Sequence, residues 1–430
     1  MTTVQILIKK VLWRNHVFFP IVMWFLSRVI IWTTMLLITP KFFASLNWHW
    51  GIFDAWDGVH YRAIATTGYE FVNDGKQHNL AFFPLFPFTI RLLMQLGLSF
   101  EVAGLLINNL AFLAALYCLY LWLKEFYGTR VAQWGTAILC WYPASMFTGV
   151  IYTEGLYLFL STATLRAFDK KQYSWMAIWG AMATATRPTG LALIPALIMA
   201  AIKERRNAIA YLASLATATG VLLFSLYCTI RFHDPLAFIA AQRGWRPSLG
   251  FDWQGWLNML MQIVLGEKNW QFGWVKATSG WINDPWHPLI FILLSIGAYC
   301  LYHFRKSWIA VNLAYGFYTL VLLLLIWTDT HLMNQILNAF MVLSGIYCLW
   351  CCRQQLTAVT LMYGFCGVGL LLASGGTISL SRLAYGIVPL NVAMGMLVSR
   401  HPRLGSFTLG LFVALLAKLA VGFAQEQWVG

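Results

Sequence analysis

The strongest constraint in this sequence is the recurrence of apolar runs. From residue 17 to residue 424 they come in stretches of about 17 to 25 residues, separated by segments that hold most of the charge. A helix rises about 1.5 Å per residue, so a run of that length spans a hydrocarbon core of roughly 30 Å. Inside such a core every backbone N–H and C=O needs a partner within the chain, and a helix supplies one locally. The sequence therefore reads as an all-α, polytopic transmembrane helix bundle. Composition agrees, since 60% of the 430 residues are apolar and only 10% are charged, against about 45–50% and 25% in an ordinary soluble domain. A single soluble globule, a disordered or collagen-like chain, a coiled coil and a disulfide-stapled scaffold are excluded together.

Spans are expected at 17–39, 103–123, 131–147, 150–168, 208–230, 287–304, 308–327, 332–350, 355–373, 385–399 and 404–424. The stretch 174–202 lies between Lys170 and Lys171 on one side and Lys203, Arg205 and Arg206 on the other. Two cytoplasmic ends require an in-and-out hairpin, and Arg187-Pro188-Thr189-Gly190 supplies its break. The expectation is one domain over 1–430 with about 11–13 spans. Its parts are the first span at 17–39, an external loop at 40–102, central spans at 103–230, a second external loop at 231–286 and C-terminal spans at 287–430. The first run follows Lys9, Lys10 and Arg14, exceeds the about 7–15 residues of a secretory h-region and reads as an uncleaved signal anchor.

A net charge of +14 would suggest a nucleic-acid partner if the basic residues formed a patch. They fall between apolar segments instead. The expected cytoplasmic loops hold 15 of the 29 Lys and Arg residues but only Glu125, Asp169 and Glu204 among the 15 acids, which is the positive-inside bias of a membrane protein. Membrane lipids are the expected surroundings, and no nucleic acid is expected. The eight cysteines all lie in or beside apolar runs without metal-ligand spacing and read as small apolar residues. Neither G-x-x-x-x-G-K-[ST] nor G-x-G-x-x-G occurs, which argues against a cytoplasmic nucleotide-sugar site.

Both external loops are dense in Trp, His, Asp, Gly and Pro. If 53–66 is an interfacial helix, Asp54, Asp57, His60, Tyr61 and Ile64 share one face. A carboxylate there is partly desolvated, which raises its proton affinity toward that of a general base. The alternative is a solvated helix face with Trp56 and Tyr61 as belt aromatics. The prolines of Phe83-Pro84-Leu85-Phe86-Pro87 favour a re-entrant turn. Arg91, costly at a bilayer centre, places 83–98 as an external interfacial helix. Glu154 at a helix start is favourable by the dipole alone or serves substrate. Arg187, at a membrane-depth break, needs a partner. The Trp245, Trp253, Trp256, Trp270, Trp274, Trp281 and Trp286 series reads as interfacial anchoring, with sugar stacking as the alternative. Asp234, Arg243, Arg246 and Asp252, with Asp329 and His331, are unranked candidates for an acceptor cleft.

Several segments in order carry a resemblance: Trp56-Asp57-Gly58-Val59-His60-Tyr61, Gly68-Tyr69, Phe82-Phe83-Pro84-Leu85-Phe86-Pro87, Tyr152-Thr153-Glu154 and Ala185-Thr186-Arg187-Pro188-Thr189-Gly190. Over roughly residues 50 to 200 the chain resembles the GPI mannosyltransferase II (PIG-V-like) family, with a weaker echo at Ser381-Arg382-Leu383-Ala384-Tyr385. It departs from that family where Arg-Ser-Asn-Gly is Arg187-Pro188-Thr189-Gly190 here. The resemblance implies the GT-C superfamily of polytopic glycosyltransferases, a polyprenyl-phosphate sugar donor and a functional acid in the first external loop, which maps onto Asp57. The acceptor, whether lipid, glycan or protein, is left open. No cofactor is implied, and a divalent metal is left open.

Such a donor already carries a good leaving group. The enzyme has to deprotonate an acceptor hydroxyl, stabilise an oxocarbenium-like centre and hold the departing phosphate. Asp57 suits the base, with Asp54 or His60 orienting it or binding acceptor. Arg382 is the first choice for the phosphate, because a guanidinium engages it bidentately. Arg91 and Arg62 follow, and Tyr61, Glu154 and Arg187 are further substrate contacts. Against this, Arg382 also reads as a snorkelling helix-end residue. The competing classes are a transporter or lipid flippase, which would carry paired broken helices in two halves where only one clear break is visible, and a non-catalytic assembly subunit.

Overall fold

The computed structural model describes residues 18–38, 50–246, 250–275, 280–303 and 328–430, with a few positions between 314 and 325. Among these the chain is helical, with short 3-10 turns, two isolated bridges (Gly250 with Ser374, Val275 with Ile282) and no strand. Five helices there are long and apolar enough to cross a membrane: Phe18–Leu36, Phe100–Tyr127, Ala208–Phe232, Thr330–Cys352 and Pro402–Ala424. They fall on expected spans. Trp286–His303 and Ala358–Ala373 occupy two more with 18 and 16 residues. The span expected at 308–327 lies largely outside the described residues, as do Lys9, Lys10, Arg14, Arg305 and Lys306.

Three expected crossings are shorter than the apolar runs suggested. The run 131–147 is a 13-residue helix, Thr129–Trp141, followed by a 3-10 turn over Pro143–Thr148. The run from 150 becomes helical only at Glu154. The run from 385 does so only at Val388, after a separate short helix, Leu380–Tyr385. Burial explains the difference. Thr129–Trp141 and Val388–Arg400 are enclosed by protein over most of their residues, and a helix so enclosed is apolar all round without having to match the bilayer's thickness. The stretch 174–202 is broken as expected, with Tyr173–Thr184 and Leu193–Lys203 on either side of a 3-10 turn at Pro188–Ala192.

Phe100–Tyr127 lies along Glu154–Asp169 and Thr129–Trp141, and the latter packs on Val388–Arg400. Two glycines set how closely these helices cross. A Cβ on Gly155 would lie 2.2 Å from the Asn108 carbonyl oxygen, and one on Gly395 would lie 2.4 Å from Gly135 Cα. Both neighbours are backbone, so a larger residue would push the helices apart.

Between these helices the chain from Tyr142 to Thr153 is buried, and Gly149–Thr153 within it belongs to no helix. Backbone of that kind survives inside a membrane protein only if its polar groups are satisfied by protein. Asn108 does much of this, donating through Nδ2 to the Phe147 and Val150 carbonyls at 2.9 and 2.7 Å and accepting at Oδ1 from the Gly155 N–H at 2.7 Å. Arg28 reaches the same segment from the first span. It donates to Thr148 Oγ1 at 2.9 Å and to Asn109 Oδ1 at 3.0 Å, with its guanidinium 5.1 Å from the Phe112 ring centre. A buried span arginine is tolerable on such terms. The result is a fixed platform from which Glu154 starts its helix.

Candidate active site

The first long loop reaches the platform through a 3-10 turn at Trp50–Phe53 and a helix that begins at Asp57, not at 53. Trp56 blocks the longer helix: its φ of 60° is sparsely allowed for a side-chain-bearing residue and costs on the order of 1–3 kcal/mol. Contacts to the platform hold that conformation. Ile151 N–H donates to the Phe53 carbonyl at 2.9 Å, the Tyr152 hydroxyl donates to the Ala55 carbonyl at 3.3 Å, and Asp57 N–H donates to the Tyr152 hydroxyl at 3.3 Å. Asp57 is thereby fixed at the first turn of Asp57–Thr66 with its carboxylate buried.

Across from it stands Arg382, on the short helix Leu380–Tyr385. Asn338 positions that helix, accepting from Ser381 N–H at 2.7 Å while donating to the Thr377 carbonyl at 3.2 Å. Arg382 Nη1 lies 2.9 Å from Asp57 Oδ2, and its Nε lies 3.6 Å from Glu154 Oε1. Its guanidinium sits 5.2 Å from the ring centres of Phe147 and Tyr152. Glu154 Oε1 also lies 2.7 Å from Arg187 Nη1. Asp57, Arg382, Glu154 and Arg187 thus form one buried chain of alternating charge, and the second oxygen of Glu154 has no hydrogen-bond partner. Residues 325 positions apart meet here, brought together by the first loop, the helix break and the C-terminal bundle.

The cluster faces a cavity of about 260 Å³. Asp57, Tyr61, Arg187 and Arg382 line it. Phe82, Phe83 and Leu371 give it apolar walls, while Gln242, Trp245 and Arg246 close it from the loop after Phe232. Gln242 Nε2 ties that loop down by donating to the Ala81 carbonyl at 2.8 Å. Glu154 lies one layer behind, holding two guanidiniums in place. Tyr61 donates to Thr153 Oγ1 at 3.4 Å, and burial, reinforced by Asp57, holds its phenol pKa above the usual value. Among the described residues no group of three or more His, Cys, Asp or Glu side chains could hold a metal ion.

Not every sequence candidate reaches the cavity. Asp54 precedes the helix instead of sharing its face, and it is held by Arg62, whose Nε lies 2.6 Å from Asp54 Oδ2 and whose Nη2 lies 2.7 Å from Glu101. Neither Asp54 nor Arg62 lines the cavity. His60 is behind the wall, stacked on Phe82 at 4.8 Å and edge-on to Trp245 at 5.0 Å. Arg91 is exposed on Leu85–Gln95 and does not line the cavity. Gln242 and Trp428 line it although nothing in the sequence singled them out for such a place.

Fold and cavity together define a class, a polytopic membrane protein with a buried acid–guanidinium cluster at the wall of a cavity of about 260 Å³. Residues 32–244 match the family described as Mannosyltransferase (PIG-V), which shows the family resemblance first seen in the segments from Trp56 to Gly190. Arg246 and Arg382 lie beyond the matched stretch. The chain is 24% identical over 261 residues to GPI alpha-1,6-mannosyltransferase 2 of Cricetulus griseus, and 24% identical over 260 residues to that of Homo sapiens. In both cases the match covers 51% of each chain, so the chain spans about half the length of the curated relatives it matches. Among solved structures it is similar to the apo Archaeoglobus fulgidus oligosaccharyltransferase, at 14% identity and a TM-score of 0.47, covering 96% of this chain and 56% of that one.

Proposed function

We propose that the chain is a membrane glycosyltransferase that moves a hexose, mannose by family resemblance, from a polyprenyl-phosphate sugar to a hydroxyl of a lipid, glycan or protein acceptor. The carrying observation is the Asp57–Arg382 pair, 2.9 Å apart and lining one cavity. It sets a proton acceptor beside a cation of the kind that holds phosphate. In the reaction an acceptor hydroxyl gives its proton to Asp57 as its oxygen bonds to the anomeric carbon. The bond from that carbon to the phosphate oxygen breaks, and the electron pair leaves with the phosphate. Attack opposite the leaving group inverts the anomeric centre. Arg382 pairs with Asp57 before the reaction and meets the phosphate charge as it grows.

The active site belongs on the non-cytoplasmic face in this reading, because basic residues collect at the C-terminal ends of the helices that pack around it. Lys170 caps Glu154–Asp169 at the end away from Glu154, Arg353 follows Thr330–Cys352 and Arg400 ends Val388–Arg400, in keeping with the positive-inside bias. Mass spectrometry of lipid-linked glycans and glycoproteins tests the activity. A strain lacking the chain should accumulate a glycoconjugate one hexose short, and an unchanged glycan profile would overturn the proposal.

A further inference from the structure

Three guanidiniums, Arg187, Arg246 and Arg382, line this cavity, but the cluster contains only two carboxylates. Arg187 is matched by Glu154, and Arg382 by Asp57 and Glu154. Arg246 differs. Its Nη1 donates to the Gly375 carbonyl, and among the described residues no carboxylate pairs with it. Burial, then repulsion by Arg382, pushes its pKa down to about 10, which still leaves it charged at neutral pH. A partly desolvated cation beside another cation is unfavourable until an anion arrives.

We infer that Arg246 is a second phosphate-binding residue of the site, receiving the lipid-linked phosphate together with Arg382. The inference rests on the proposed donor class and adds to it the residue that selects an anionic head. Charge balance supports it. The three guanidiniums, Asp57 and Glu154 sum to one positive charge, which a sugar phosphodiester with one negative charge neutralises. After transfer Asp57 carries the acceptor proton and the departing phosphomonoester carries about two negative charges, so the site is again close to neutral. No ion has to enter or leave during the step. Geometry supports it too. The carbonyl that anchors Arg246 belongs to the turn leading into Leu380–Tyr385, so both phosphate-facing cations share one frame. Leu191, Ile239, Leu370 and Leu371 line the same cavity and offer an isoprenoid chain an apolar path beside its phosphate.

The test is equilibrium binding to the purified full chain in detergent micelles, with a short-chain polyprenyl monophosphate, the matching uncharged polyprenol and inorganic phosphate as probes. Wild type should bind the lipid phosphate more tightly than the polyprenol. Arg246→Gln should weaken lipid-phosphate binding about tenfold to a hundredfold, the loss of a charge-assisted pair. Arg246→Lys should recover part of it, and polyprenol affinity, the check on folding, should stay as in wild type. Unchanged lipid-phosphate binding in Arg246→Gln, with wild-type preference for the phosphate intact, would overturn the assignment and leave the donor class standing. Equal wild-type affinity for polyprenol and its phosphate would overturn both. Inorganic phosphate binding as tightly as the lipid would assign the residue to a free anion and overturn the lipid assignment.

Discussion

Replacing Glu154 by Gln removes one charge while keeping the shape of the side chain. Glu154 is 1% exposed, and its partners Arg187 and Arg382 are 7% and 8% exposed, so solvent screens the cluster little. Glu154 Oε1 is 2.7 Å from Arg187 and 3.6 Å from Arg382. With the carboxylate gone, Arg187 is a buried cation facing an amide, and breaking a buried pair in this way costs about 3–5 kcal/mol. The partner substitution Arg187→Met strands Glu154 less completely, because Arg382 remains beside it, and should cost less. Removing both charges in Glu154→Gln with Arg187→Met should recover at least about 2 kcal/mol of the summed single losses. Chemical unfolding in detergent, followed by tryptophan fluorescence, measures all four members of the cycle. A loss below about 1 kcal/mol in Glu154→Gln, or strictly additive losses in the double variant, would refute a buried, energetically coupled cluster.

Asn108→Leu should cost about 1–3 kcal/mol for each polar group it strands on Phe147, Val150 and Gly155, and limited proteolysis should then detect a loosened 143–153 segment. Burial, opposed only in part by Asp57, lowers the His60 pKa from its usual value. The folded state therefore stays neutral where the unfolded chain binds a proton, and stability should fall as pH drops below about 6.5. His60→Phe should flatten that slope in unfolding measured from pH 7 to pH 5. Cysteines placed at Asp74 and Lys268, both exposed, should be labelled by an impermeant reagent from the non-cytoplasmic side, and one at Lys171 only after permeabilisation. Opposite behaviour of the first two would break the topology.

The sequence made the long crossings legible, because a run exposed to lipid must be both apolar and long. It overestimated the length of the interior helices, since Val388–Arg400, enclosed by protein, needs only 13 residues. In the first loop, spacing put Asp54 and Asp57 on the same face, but only Asp57 lines the cavity. The φ of 60° at Trp56 breaks that face one residue before Asp57, and no local pattern announces it. Glu154 read as a dipole-favoured helix start because its partners are distant, Arg187 lying across the helix break and Arg382 in the C-terminal bundle. The need of Arg187 for a partner was visible from its depth in the membrane, but the identity of that partner was not. Arg246 could not be ranked for the same reason. What sets it apart is that no carboxylate among the described residues pairs with it, which only the folded chain reveals.

The account stands or falls on Asp57 as the group that takes the acceptor's proton. Purified chain in lipid vesicles, supplied with radiolabelled polyprenyl-phosphate mannose and a membrane lipid extract as acceptor source, would be compared as wild type and Asp57→Asn, with donor binding measured in parallel. Turnover in Asp57→Asn should fall about 10²- to 10⁴-fold while the protein inserts normally and still binds the donor. Turnover above about a tenth of wild type, with insertion and binding intact, would contradict the claim.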